Sequence, residues 1–151
     1  MTTVYDVPPQ KLIDQTAEKL REFPEIAQPE WASDVKTGTH VETQPVQENW
    51  WHIRSAAVLR KVYMYGPIGT ERLSGEFGGA KDRNVKPYKA VKGSRSIIRS
   101  SLKQLESAGL IVADKNKGRI ITPKGQSLLD NTAREVMRDL ASADPELSKY
   151  Y

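Results

Sequence analysis

Apolar side chains recur three and four residues apart in five stretches of the chain, and this spacing predicts five helices. Proline, glycine and small polar residues lie at the ends of these stretches, where they favour the start or end of a helix. Asn49, Ser94 and Thr122 are candidate N-cap residues, because each directly precedes a predicted helix. The predicted helices span residues 8–23, 50–65, 71–77, 95–108 and 123–143.

The helix predicted at 50–65 is apolar over much of its circumference, which places it centrally, in contact with more than one neighbour. Two short apolar runs, 110–113 and 119–121, flank a polar turn and predict a β-hairpin. The order long helix, short helix, helix, hairpin is that of a winged helix. The predicted fold class is therefore mainly α: a winged-helix-like helical domain with a small two-stranded β-hairpin and extra N- and C-terminal helices, in one domain over residues 1–151.

Residues 78–93, between the third and fourth predicted helices, carry five lysines and arginines against the single acid Asp82. The segment has three glycines, one proline and no apolar periodicity. It therefore predicts a basic flexible loop, mobile in the free protein and ordered against a nucleic acid. A loose tail is predicted at 144–151.

Charge changes this picture because it is unevenly spread along the chain. The net charge of +4 divides into −5 over residues 1–50, +9 over 51–103 and zero over 104–151. A concentrated positive segment is typical of proteins that bind a phosphate backbone, although an ordinary solvated basic face would show the same pattern.

Other function classes find little support in the sequence. The absence of cysteine excludes disulfides, thiolate metal sites and cysteine nucleophiles, and only two histidines are present. No glycine-rich phosphate loop follows a predicted strand, so we expect no enzymatic activity, cofactor, metal or small-molecule substrate. No apolar run reaches the ~20 residues of a membrane span, and no signal peptide is evident, so no membrane association is expected.

In a winged helix, the third helix of the motif meets nucleic acid and the hairpin reaches an adjacent backbone. Here that helix carries a basic stripe at positions i, i+4 and i+8, formed by Arg95, Arg99 and Lys103. The hairpin carries Lys115 and Lys117 in its turn and Arg119 at the start of its second strand, although these residues could also form an ordinary polar turn.

Aromatic side chains near the basic residues have two interpretations. Tyr88 lies among the lysines of residues 78–93 and could stack on an unpaired base. Trp50 and Arg54, one helical turn apart, could form a cation–π contact inside the protein or present a face to RNA. Trp31 and Trp51 are interpreted as packing residues.

Several short blocks, specific in combination, resemble a known family. They are Pro29–Trp31, Glu48–Arg54, Leu59–Tyr63, Phe77–Gly79, Gly93–Ser96, Leu105–Glu106, Gly118–Arg119 and Thr122–Gln126. Over residues 7–141 the chain resembles the S-nineteen-e family of small-subunit ribosomal proteins of archaea and eukaryotes. The resemblance implies a protein of the cytoplasmic ribosome, in the head of the small subunit. It also implies contact with small-subunit rRNA and neighbouring ribosomal proteins, and a part in small-subunit rRNA maturation and assembly.

The resemblance also bears on individual residues. The family's basic positions fall on Arg54, Arg60 and Arg99, and its basic glycine-rich loop falls on residues 78–93. The full set of candidate RNA-binding residues is Trp50, Arg54, Arg60, Lys61, Lys81, Arg83, Lys86, Tyr88, Lys89, Lys92, Arg95, Arg99, Lys103, Lys115, Lys117 and Arg119.

Two other functions fit the same elements. One is a winged-helix transcription regulator that binds duplex DNA and dimerises through the first and last helices. The other is a winged helix that binds a basic protein partner through its acidic N-terminal region. Sequence-selective binding to DNA would indicate the transcription regulator. A lack of salt-sensitive binding to nucleic acid would indicate the protein-binding winged helix.

Overall fold

The computed structural model describes residues 1–150 of the chain. Its regular elements are α1 (Pro9–Leu20), α2 (Trp50–Tyr65), α3 (Thr70–Glu76), β1 (Gly79–Arg83), β2 (Lys86–Val91), α4 (Arg95–Ser107), β3 (Ile111–Asp114), β4 (Gly118–Ile121) and α5 (Pro123–Ala143). Short 3₁₀ turns lie at Val4–Asp6, Glu30–Asp34 and Leu147–Lys149. The mainly α, winged-helix-like fold class is confirmed, with the helices within a few residues of their predicted bounds.

The central helix is α2, because α1, α4, α5 and β4 all pack against it. Its side chains Trp51, Val58, Leu59 and Val62 are fully buried. Burial of one such side chain contributes about 1.5–3 kcal/mol to the stability of the fold, so the contacts of α2 form a large part of the core. The predicted central position of this helix is confirmed.

The predicted hairpin is confirmed as β3 and β4, which pair antiparallel from Ile111 opposite Ile121 to Asp114 opposite Gly118. The backbones of Ile68 and Arg119 exchange two hydrogen bonds of 3.2 and 2.9 Å, which attach β4 to the segment between α2 and α3. Gly118 has φ +111°, and a Cβ there would lie 2.6 Å from the Ile68 carbonyl. This close approach requires glycine.

Two of the three predicted caps form hydrogen bonds. The Ser94 hydroxyl accepts from the Ile97 N–H at 3.4 Å, and the Thr122 hydroxyl accepts from the Gly125 N–H at 3.2 Å. Asn49 takes the N-cap position of α2, but its side chain makes no capping hydrogen bond. The start of α2 is held instead by Trp50 and Trp51, which are both buried.

The prediction that residues 78–93 form a loop is wrong as to secondary structure, because β1 and β2 form a second antiparallel hairpin there. Their turn is Asn84–Val85, with Asn84 in the left-handed region at φ +62°. The Asp82 carboxylate accepts from the Asn84 N–H at 2.8 Å, and the Arg83 guanidinium donates to the Pro87 carbonyl at 2.9 Å. Backbone pairing and turn hydrogen bonds thus form a hairpin from a segment that has no apolar face. Its mobility in the free protein stays a prediction.

The segment between α1 and α2 reaches the base of this second hairpin. Gly38 forms an isolated bridge with Gly93, and the Ser94 N–H donates to the Thr37 carbonyl at 2.9 Å. The residues just before α4 are therefore hydrogen-bonded to the segment between α1 and α2. At the other end of the chain, the 3₁₀ turn at Leu147–Lys149 follows α5, and the predicted looseness of this tail stays a prediction.

Candidate nucleic-acid interface

Helix α4 separates its apolar and basic residues onto different faces. Ile97, Ile98, Leu102 and Leu105 are buried against the core. The stripe of Arg95, Arg99 and Lys103 is exposed to solvent. These three cations lie within about 80° of arc around the helix at 100° per residue. One strand of a nucleic acid could therefore contact all three through its phosphates.

The base of the β1–β2 hairpin is joined to α4 by one acid. Glu71 of α3 pairs with Lys92, which directly follows β2, and with Arg95 at 3.2 Å. Lys92, and secondarily Arg95, holds the pKa of the Glu71 carboxyl below its ordinary value. One carboxylate thus connects the base of the hairpin to the first turn of α4.

The β1–β2 hairpin presents most of its candidate residues to solvent. Lys86, Tyr88 and Lys89 are exposed, whereas Lys81 and Arg83 are half-buried. Lys81 lies directly opposite Lys89 across the strands. Like charges in this arrangement repel each other, so an anion bound between them would stabilise the hairpin.

Arg54 of α2 stacks on Phe77, with its guanidinium carbon 4.7 Å from the ring centroid. The side chain is half-buried, and burial lowers the pKa of its guanidinium, which still remains charged at neutral pH. Arg54 forms no ion pair with any carboxylate of residues 1–150. A partly desolvated cation without a protein anion is suited to receive a phosphate.

Trp50 is buried in the structure, which favours the packing interpretation over a contact with RNA. Its side chain is only 7% exposed and packs edge-on against Trp51, with ring centroids 5.5 Å apart. The predicted stacking of Arg54 on Trp50 is replaced by the contact with Phe77. The packing interpretation of Trp50 therefore applies.

The remaining candidates are divided between structural and exposed positions. Lys61 of α2 pairs with Glu76 of α3 at 3.0 Å, so a carboxylate of the protein partly neutralises this cation. Arg60 and Arg119 are half-buried, and the Nε atom of each is buried without a hydrogen-bond partner in the described chain. Lys115 and Lys117 are exposed in the turn between β3 and β4.

Nine of the sixteen predicted residues lie in one stretch of the chain, from the β1–β2 hairpin to α4. The β1–β2 hairpin leads directly into α4. Glu71 pairs with a cation at each side of this junction, Lys92 after β2 and Arg95 at the start of α4. We call this stretch the basic surface; it consists of Lys81, Arg83, Lys86, Tyr88, Lys89, Lys92, Arg95, Arg99 and Lys103. Arg54 contacts Phe77, which lies in the chain between α3 and β1. The cations of the β3–β4 hairpin belong to a separate element.

Sequence reasoning missed one exposed aromatic residue at this surface. Trp31, interpreted as a packing residue, is 39% exposed and lines a groove beside Arg99 and Lys103. One sign of this exposure is present in the sequence: Trp31 follows Pro24 and Pro29 and lies outside the predicted helices. Within residues 1–150, no cluster of potential metal ligands occurs, and no helix is long and apolar enough to cross a membrane.

Comparison with known proteins gives a consistent family assignment. A family model described as ribosomal protein S19e matches residues 3–139. The small ribosomal subunit protein eS19 of Thermoplasma acidophilum is 45% identical over 150 residues, with 99% of both chains covered. That of Haloarcula marismortui is 43% identical over 154 residues, again covering 99% of both. The eS19B protein of Schizosaccharomyces pombe is 34% identical over 137 residues, covering 91% of this chain and 96% of its own. With nearly its whole length matched, this chain belongs to the ribosomal protein S19e family.

Proposed function

We propose that this protein is a structural constituent of the small ribosomal subunit that binds rRNA through the basic surface. The observation that carries the proposal is the continuity of exposed cations from the β1–β2 hairpin into α4. Lysines and arginines in such an arrangement neutralise phosphates and release counterions, which makes binding strongly dependent on salt. The names of the relatives, all small-subunit proteins, support the same location.

We include in this proposal three points that the resemblance to the family implies. They are a position in the head of the subunit, neighbouring ribosomal proteins as partners, and a role in rRNA maturation and assembly. Arg54 supports it independently, because its half-buried guanidinium has no carboxylate partner among residues 1–150. A phosphate would supply the missing charge.

Fractionation of a cell lysate on sucrose gradients tests the proposal. The full chain is tracked at low and at high salt, and we expect it to co-sediment with small subunits and to dissociate as salt rises. Migration with chromosomal DNA would instead support a transcription regulator, and migration as free protein at both salt concentrations would contradict any ribosomal role.

A matched pair of variants separates the basic surface from charge in general. Reversing two charges by Arg95→Glu with Arg99→Glu is expected to remove the protein from the subunit fraction. Arg134→Glu with Arg138→Glu makes the same change in net charge at exposed positions of α5. Equal loss of co-sedimentation in both pairs would show that α4 has no special part in binding.

A further inference from the structure

A groove of about 830 Å³ runs along α4 from Ser94 to Lys103, beside the 3₁₀ turn Glu30–Asp34. Trp31, Val35 and Ile97 provide its apolar wall. Its volume falls within the ~300–1,000 Å³ that small organic ligands occupy. The groove can therefore hold a group of the size of one nucleotide.

The indole of Trp31 is held in place at the mouth of this groove. It packs edge-on against the buried Trp51, with ring centroids 5.7 Å apart and an angle of 89°. Trp51 is itself fixed by Gln104, whose side chain accepts from its indole N–H at 2.8 Å and donates to the Ala27 carbonyl at 2.7 Å. The edge-on contact leaves Trp31 39% exposed, so a fixed aromatic surface remains available for stacking.

The polar lining of the groove favours an anion over a neutral ligand. Lys36, Arg99 and Lys103 contribute three positive charges against the single carboxylate of Asp34. Ser94, Ser96 and Ser100 also line the groove. The N-terminal end of a helix also carries partial positive charge, which adds to the attraction for phosphate.

We propose that this groove binds one unpaired nucleotide of the rRNA, with its base stacked on Trp31 and its phosphate held by Arg99 and Lys103. The proposal rests on the proposed function and adds to it a site for a single-stranded segment. Aromatic stacking beside cationic side chains is the usual way in which proteins bind unpaired RNA bases. An acidic protein segment would use the cations but would leave the exposed indole face without a stacking partner.

Tryptophan fluorescence of the purified full chain gives the first test, with a short oligouridylate as the probe. Trp50 and Trp51 are 7% and 0% exposed, so quenching by the oligonucleotide reports mainly on Trp31. We expect saturable quenching at low salt. Absence of quenching while the oligonucleotide still binds would overturn the proposal.

Two sets of variants measure the contribution of the groove by filter binding of the same probe. Trp31→Leu is expected to weaken binding about 5- to 150-fold, the range of one base–aromatic stack, and Trp31→Phe to restore most of it. Tyr5→Leu, at another exposed aromatic residue, is the control. Ser100→Glu places a carboxylate in the groove without disturbing the Trp31–Trp51 contact, and it should also weaken binding, whereas Ser100→Gln should do so less. Unchanged affinity in folded Trp31→Leu and Ser100→Glu proteins would overturn the proposal.

The assembled particle separates this inference from the proposed function. A benzophenone amino acid placed at position 31 in cells is irradiated after small subunits have been isolated. We expect covalent attachment to rRNA, at an unpaired nucleotide. Attachment to a protein, or to nothing, would overturn the groove assignment and leave the ribosomal role intact. Absence of the wild-type chain from the particles would contradict the proposed function itself.

Discussion

Arg54 provides a sharp test of whether a half-buried cation serves the fold or the RNA. Replacement by methionine keeps an unbranched side chain against Phe77 but removes the charge. The lost cation–π contact, at 4.7 Å, is worth about 0.5–2 kcal/mol. Two gains oppose this loss: a sulfur–aromatic contact of about 0.3–1.5 kcal/mol and the end of the desolvation that lowers the guanidinium pKa. We therefore expect the free energy of unfolding of Arg54→Met to remain within about 1 kcal/mol of wild type.

The effect on RNA binding should be much larger. A charged hydrogen bond to phosphate contributes about 1.5–3 kcal/mol, so the affinity of Arg54→Met for small-subunit rRNA should fall about 10- to 150-fold. The slope of log affinity against log salt should become shallower by about 0.7–0.9, the contribution of one phosphate contact. Urea unfolding gives the first quantity, and filter binding over a series of salt concentrations gives the other two.

Arg134→Met on α5 is the matched control, since it removes one exposed positive charge outside the basic surface. It should change neither stability nor the specific affinity appreciably. A loss of more than about 2 kcal/mol of stability in Arg54→Met, with unchanged affinity and salt slope, would refute the reasoning. Arg54 would then be a structural residue.

Three further predictions concern particular contacts. Gly118→Ala should destabilise by about 1–3 kcal/mol in urea unfolding, because φ +111° and the Ile68 carbonyl exclude a Cβ, whereas Gly75→Ala, with open space in α3, should be neutral or stabilising. Burial and the 2.9 Å hydrogen bond to Asp130 raise the pKa of Tyr63 to about 12, so its stabilising contribution should be complete below pH 10 and be lost as pH rises to about 12. Thermal melts should show this alkaline loss in wild type and less of it in Tyr63→Phe. Glu71→Gln should tighten rRNA binding in filter assays, because it removes the carboxylate paired with Lys92 and Arg95; weaker binding would show that holding the hairpin base matters more than charge.

The helical part of the fold could be predicted because its signals are local. The start of α4 combines the Ser94 cap with an apolar face of period 3.6, and both appear unchanged in the structure. The β3–β4 hairpin likewise has two apolar runs separated by a polar turn. In each case, the residues that bury the element are the same residues that define its pattern.

The β1–β2 hairpin could not be predicted by the same reasoning, because nothing along it alternates between apolar and polar. Its turn is Asn84–Val85 rather than the Asn–Gly pair that marks a two-residue hairpin, and its strands expose charged side chains. Asn84, which tolerates positive φ, was the one local sign of a turn.

The candidate site was predicted as a set of cations, but not as a geometry. The sequence places Trp50 and Arg54 one turn apart, yet the structure buries Trp50 and stacks Arg54 on Phe77. Trp31 shows the same limit, since only the fold reveals that it lines a groove beside Arg99 and Lys103. Such contacts join distant parts of the chain, and no local pattern encodes them.

A lysine-modification footprint tests the central claim most directly, because it examines each cation in the native particle. Isolated small subunits and the purified free chain are acetylated under identical conditions, and the reaction of each lysine is quantified by mass spectrometry. The account predicts strong protection in the particle for Lys86, Lys89, Lys92 and Lys103, with the exposed Lys11 of α1 reacting similarly in both states. Equal reactivity of the basic-surface lysines in the particle and in the free chain would contradict it.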